Sequence, residues 1–266
     1  MTVHFIGAGP GAADLLTIRA TRLLAASRVC LYAGTYLDEA VLEHCPDGAR
    51  LVDTQSLDLD DITAEILAAH ERGDDVARLC SGDPSVYSAI AEQTRRLDAA
   101  GVPWDITPGI AAYAATAARL GRELTVPEVA QSVVLTRAQR DSTAMPSGES
   151  LEAFAATGAT LVLHLAIRRA RELTERLAEH YGADCPVVVG YRVEQPQELI
   201  LHGTLADIAD QVEAHDLRQA AIIVVGWALR AEDFVESHLY SCRRVAGLPA
   251  TGSDAETGPD NVEGLR

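Results

Sequence analysis

Three glycine-bearing stretches hold the residues whose spacing could do chemistry: Gly7-Ala8-Gly9-Pro10-Gly11-Ala12, Ser81-Gly82-Asp83-Pro84 and Thr107-Pro108-Gly109-Ile110. The first follows an apolar strand over 3–6 and precedes Leu15, Ile18, Leu23 and Leu24, which recur at roughly helical spacing. Strand, glycine turn and helix formally fit the fingerprint of a dinucleotide site, whose last glycine position accepts Ala. Two features oppose that reading. Pro10 has no backbone N–H where such a loop needs donors for a pyrophosphate, and the next strand, over 29–32, runs into Ala33-Gly34-Thr35 without the acidic residue that holds ribose hydroxyls. A tight turn that only packs helix against strand is the plain alternative. Asp83 stands before a proline, so it is either a ligand contact or an ordinary turn starter.

Other site chemistries find little support. The eight histidines include no pair four apart around a glutamate, and the five cysteines, Cys30, Cys45, Cys80, Cys185 and Cys242, lack the close spacing of zinc ligands. They read as free thiols filling apolar space, and no metal is expected. No Ser-His-Asp set or carboxylate pair stands out.

The elements that must position these stretches alternate. Strands are expected over 3–6, 29–32, 50–52, 76–79 and 104–106, with helices over 37–44, 60–71, 86–99 and 110–120 between or after them. That order predicts a mostly parallel sheet covered on both faces. The pattern restarts with strands over 133–136, 160–165, 187–191, 199–202 and 221–225 and helices over 169–181 and 205–212. Gln195-Pro196 reads as a hairpin turn, which makes the second sheet mixed. The fold class is therefore α/β, with one domain over 1–120 and another over 121–244. The polar residues of 245–266 have almost nothing to bury and are expected to be disordered.

A length of 266 residues suits two domains, and a formal charge of −17 disfavours nucleic acid and anionic lipid as partners. No apolar run reaches the ~18 residues of a membrane span, and residues 1–11 lack a secretion signal, so a cytoplasmic protein is expected.

Taken in order, the three glycine stretches, Leu15-Leu16-Thr17, Tyr32-Ala33-Gly34-Thr35, Ser85-Val86-Tyr87 and Thr136-Arg137-Ala138 resemble the tetrapyrrole methylase family over about residues 3–244. Tyr32-Ala33-Gly34, and Leu135-Thr136-Arg137-Ala138 followed by Met145-Pro146, are similar to its branch acting at C-11 of a corrin precursor, with or without cobalt. The resemblance implies two α/β domains, a homodimer, and S-adenosylmethionine (SAM) in the cleft between the domains. It assigns the cofactor to Pro10, Ser81, Gly82, Asp83, Val86, Ala111 and Ala112, with Leu165 and Val193 from the second domain. This chain carries Leu165-Ala166 where the family often has Met-Gly, and Ala is small enough to keep a close backbone approach. A side chain at Gly82 is expected to fill a close-approach position.

A tetrapyrrole bears many carboxylates, so an acidic protein must gather basic groups locally. Arg137, Arg140, Arg168 and Arg192 each follow an apolar strand and are the candidates, with Arg137 favoured; each is otherwise a solvated surface residue. Tyr87 and Tyr113 either line the substrate trough or are ordinary buried helical tyrosines that serve packing. Alternatives left open are another methylase of the family, such as the uroporphyrinogen-III enzyme, an NAD-dependent oxidoreductase, and a binding module without turnover.

Overall fold

A computed structural model of the chain describes residues 1–138, 144–232 and 234–237. Arg140, Cys242 and the 245–266 segment lie outside the described residues. The first half builds a sheet from β1 (Val3–Gly7), β2 (Val29–Tyr32), β3 (Arg50–Asp53), β4 (Val76–Cys80) and β5 (Trp104–Thr107), in the order β3-β2-β4-β1-β5. All its pairings are parallel. Period-two alternation feeds two cores. Val3, Phe5, Val29, Leu31 and Val76 face Ile62, Ile66 and Leu97 of α2 (Leu59–Arg72) and α3 (Ile90–Ala100). Ile6, Cys30, Ala77 and Leu79 face the opposite way, onto Ala20 and Leu24 of α1 (Ile18–Ala26) and onto Val41.

Local signals set the helix ends. Asp58 accepts from the N–H groups of Asp60 and Asp61 at 2.8 and 2.9 Å to start α2, and Gly73 ends it at φ +76°. The helix expected over 86–99 begins only at Ile90, because Tyr87 and Ala89 take left-handed φ of 55° and 52° in the turn after Pro84. The expected 37–44 helix is a short 3₁₀ segment, Glu39–His44.

The second half forms β6 (Val133–Arg137), β7 (Thr160–His164), β8 (Pro186–Tyr191), β9 (Leu199–Thr204) and β10 (Ala221–Val225), in the order β6-β7-β10-β8-β9. Only β6 and β7 pair in parallel; β8 and β9 form the hairpin expected at Gln195-Pro196, so the sheet is mixed. One face carries α6 (Ala170–Tyr181) and α7 (Ile208–Ala214), with Leu161, Leu163, Leu177, Ile208 and Ile223 each under 2% exposed and each worth about 2 kcal/mol of burial. The other face receives α4 (Ala112–Leu120), whose Ala112, Tyr113, Ala117 and Leu120 pack against Val162, Val188, Ile222 and Val224. That helix leaves the last strand of the first sheet and docks on the second, so it sets the distance between the two halves. A short helix, α5 (Leu151–Ala155), was not expected. Cys30, Cys45, Cys80 and Cys185 are free thiols, and no helix among the described residues is long and apolar enough to cross a membrane.

Candidate functional site

Because β4, β1 and β5 are neighbours in a parallel sheet, the loops that follow them emerge side by side at its carboxyl edge, where open α/β sheets bind ligands. The loops are tied to one another through their backbones. Gly9 and Gly82 exchange hydrogen bonds of 3.2 and 2.8 Å, Ala8 N–H donates to Cys80 O at 2.8 Å, and Gly109 N–H donates to the Asp83 carboxylate at 2.9 Å. Glycine is required where these strands of loop touch. A Cβ on Gly7 would lie 2.4 Å from Gly109 N, and one on Gly109 would lie 2.3 Å from Gly82 O. On Gly82 a Cβ would meet nothing in the protein closer than 3.5 Å, so the constraint visible there is its φ of +68°.

This geometry removes the dinucleotide reading of the first loop. The N–H groups of Ala8 and Gly9 are spent on neighbouring loops, Pro10 has none, and α1 begins only at Ile18 rather than at the end of the loop. Asp83 has a structural part in the same knot: its carboxylate accepts from the Ser85 N–H and hydroxyl as well as from Gly109. Burial opposes its ionisation, but those hydrogen bonds outweigh burial and hold the carboxyl below its ordinary value.

Facing the loops across a cleft of about 490 Å³ are the end of β7, the β8–β9 turn and the residues just before β10. Gln195 crosses the gap, its Nε2 donating to Pro10 O at 2.9 Å. Pro10, Ser81, Gly82, Asp83, Val86, Ala111 and Ala112 line one wall; Leu165 and Val193 line the other. These are the nine positions the resemblance assigns to a cofactor. Of the substrate candidates, Tyr87, Arg168 and Arg192 are also in the walls. Tyr113 is not: it packs half-buried against the second sheet. Arg137 lies at the end of β6, beside the cleft rather than in its lining, with Nη1 and Nη2 donating to Ala138 O and Ala144 O at 3.3 and 3.4 Å.

Sequence reasoning missed Arg78, His164 and Arg218, which also line the cleft. Arg78 was readable, since a cation in the middle of the apolar strand Val76–Cys80 is unusual. It donates to Gln93 Oε1 at 3.1 Å and to Leu79 O at 3.2 Å, and has no carboxylate partner among the described residues. Burial pushes its guanidinium below the ordinary value. Arg78, Arg168 and Arg192, with Arg218 paired to Asp216 at 2.6 Å, outnumber Asp83 among the described lining residues and make the cleft cationic in a chain of charge −17. Arg192 Nε is sealed from solvent without a hydrogen-bond partner among the described residues. The cleft also concentrates strain. Of eight described non-glycine residues at left-handed φ, Tyr87, Ala89, Leu165, Arg192 and Ala220 are in its walls, which marks it as a site rather than a packing defect.

The description "Tetrapyrrole (Corrin/Porphyrin) Methylases" belongs to the family model that matches residues 2–209. The chain belongs to that family. Among curated relatives, the precorrin-4 C(11)-methyltransferase of Rhodococcus erythropolis is 54% identical over 92% of this chain and 98% of its own. The cobalt-precorrin-4 C(11)-methyltransferase of Methanocaldococcus jannaschii is 35% identical over 90% of this chain and 92% of its own. A solved cobalt precorrin-4 methyltransferase, described as a cobalamin biosynthetic enzyme, superposes with a TM-score of 0.83 at 33% identity, covering 86% of this chain and 96% of that one. A uroporphyrin-III C-methyltransferase from Thermus thermophilus, complexed with S-adenosyl homocysteine, has a TM-score of 0.73 at 27% identity over 86% and 99% of the two chains. Membership in the methylase family makes the chain a methyltransferase of tetrapyrrole type, and the spent amides of its first loop are a feature of that methylase rather than a damaged nucleotide site.

Proposed function

We propose that this chain transfers the methyl group of SAM to C-11 of precorrin-4, a step of cobalamin biosynthesis. The observation that carries the reading is one cleft, lined by all nine positions that the resemblance assigns to the cofactor and by Arg78, Arg168 and Arg192 against Asp83, with Arg218 paired to Asp216. The relatives named for the metal-free substrate are 49–54% identical, and those named for the cobalt form 34–35%, which favours precorrin-4 without cobalt. Two domains, 1–120 and 121–244, a homodimer and a cytoplasmic setting belong to the same proposal.

When bound, SAM supplies a methyl carbon already made electrophilic by its sulfonium, so no protein nucleophile is required. What the chain must supply is position. Holding two ligands at near-attack distance can lower the barrier by about 7–11 kcal/mol. Small residues at Gly82, Ala111 and Ala112 let the backbone approach a ligand closely, and Leu165 and Val193 close on it from the opposite wall. Arg192 and Arg168 offer forks to macrocycle carboxylates, and Arg137 extends the cationic edge past Tyr87. The neighbouring groove behind Tyr87 carries Asp83 and Glu92 and no basic residue, which makes it a poor seat for a polyanion.

The test is incubation with SAM carrying a carbon-13 methyl group and, separately, precorrin-4, its cobalt form and uroporphyrinogen III. The expected product is precorrin-4 with one new labelled methyl at C-11 by NMR. A label appearing on uroporphyrinogen III instead would assign the chain to the other branch.

A further inference from the structure

His164 ends β7 immediately before Leu165, and its ring stands in the cleft wall 5.1 Å from the Tyr87 ring, centroid to centroid, at an angle of 50°. Among the described residues neither ring nitrogen has a hydrogen-bond partner. Nε2 is sealed from solvent, which leaves Nδ1 as the ring nitrogen open to a ligand on a residue that lines the cleft. A histidine kept for structure usually has one nitrogen tied to a carbonyl or carboxylate that fixes its tautomer. Here nothing fixes it, although a buried polar atom without a partner is costly.

The position matters as much as the missing partner. On one side is Leu165, from the cofactor set; on the other are Tyr87 and Arg137, the latter opposite His164 in the β6–β7 register. The charged groups lining the cleft among the described residues are Arg78, Arg168, Arg192 and Arg218, the last paired with Asp216, with Asp83 held by Ser85 and Gly109. Burial lowers the imidazole to about 4, so at neutral pH it carries one free lone pair and no charge.

We propose that His164, through Nδ1, accepts the proton that the macrocycle releases when it is methylated. The inference rests on the functional reading above. The new bond joins the methyl carbon to a ring carbon, using a π pair of the macrocycle. The carbon–sulfur bond breaks and its pair stays on sulfur. The macrocycle is left one unit more positive and returns to its former charge by passing a ring N–H proton to Nδ1, from which water takes it. A weak base suffices because the proton leaves a cation. A stronger base would be protonated beforehand and could not accept the proton.

The experiment uses the whole chain and the variants H164Q and H164A. Expected are a Kd for adenosylhomocysteine within about threefold of wild type and a kcat lower by about 10²–10⁴-fold, the usual contribution of a positioned acid or base. Added imidazole should restore turnover to H164A in proportion to its neutral form, which a merely structural role would not produce. Wild-type kcat should stay level from about pH 6 to 8, since the neutral imidazole is present throughout. Independently of turnover, the nitrogen-15 resonances of His164 should shift when precorrin-4 is added to the adenosylhomocysteine complex. Wild-type kcat in H164A, or a loss that imidazole does not rescue together with unmoved resonances, would overturn the assignment. A wild-type protein that methylates no tetrapyrrole would instead remove the functional reading, and this inference with it.

Discussion

The two walls of the cleft solve one problem by opposite means. On the side of the first sheet, backbone reaches the cleft through glycines packed loop against loop, with Gly7, Gly82 and Gly109 within van der Waals distance of one another. On the side of the second sheet, Leu165 and Arg192 adopt left-handed φ of 52° and 44° without being glycine. Where its loops cross, the first wall avoids strain by giving up side chains, although Tyr87 and Ala89 further along keep theirs at left-handed φ of 55° and 52°; the second wall keeps its side chains at Leu165 and Arg192 and tolerates strain of about 1–3 kcal/mol at each such residue. A site that must both approach a ligand closely and grip it needs backbone of each kind.

Substitutions can break that contrast. The largest effect is expected from Gly109→Ala, whose new Cβ would sit 2.3 Å from Gly82 O and 2.7 Å from the Gly7 Cα. Backbone on both sides cannot yield cheaply, so a loss of at least about 3 kcal/mol in urea unfolding is expected. A loss under 1 kcal/mol would mean that the loops are not locked as described. Gly82→Ala should cost only about 1 kcal/mol, because its Cβ has room and only the φ of +68° is unfavourable. Equal losses in the two variants would erase the distinction between crowding and conformation. The smallest change belongs to Leu165→Gly, where relief of strain and the greater freedom of the unfolded chain nearly cancel, leaving stability within about 1 kcal/mol of wild type. Its adenosylhomocysteine affinity should nevertheless fall about tenfold through lost apolar contact, as read by calorimetry. Unchanged affinity would take Leu165 out of the ligand's reach.

The same contrast explains what could be read from sequence. The parallel sheet was legible because short apolar strands alternate with helices, and the β8–β9 hairpin because Gln195-Pro196 interrupts two apolar runs. The glycine loops announced themselves, since left-handed turns and close contacts favour one residue type. Leu165 and Arg192 gave no such sign of their backbone state, because nothing in a leucine or an arginine reports a left-handed φ. Leu165 and Val193 were reached through family resemblance alone. The late start of α3 was hidden for a related reason: 86–99 has helical spacing, and only the turn after Pro84 spends its first residues otherwise. His164 escaped notice because its importance lies in a partner it lacks, which no linear pattern records.

The position of the methyl donor decides between the cleft and every other seat on the molecule. A crystal structure with adenosylhomocysteine is expected to hold the ligand between Pro10, Gly82 and Ala112 on one wall and Leu165 and Val193 on the other. Finding it behind Tyr87, against Ile106 and Glu92, with the cleft empty, would contradict the account.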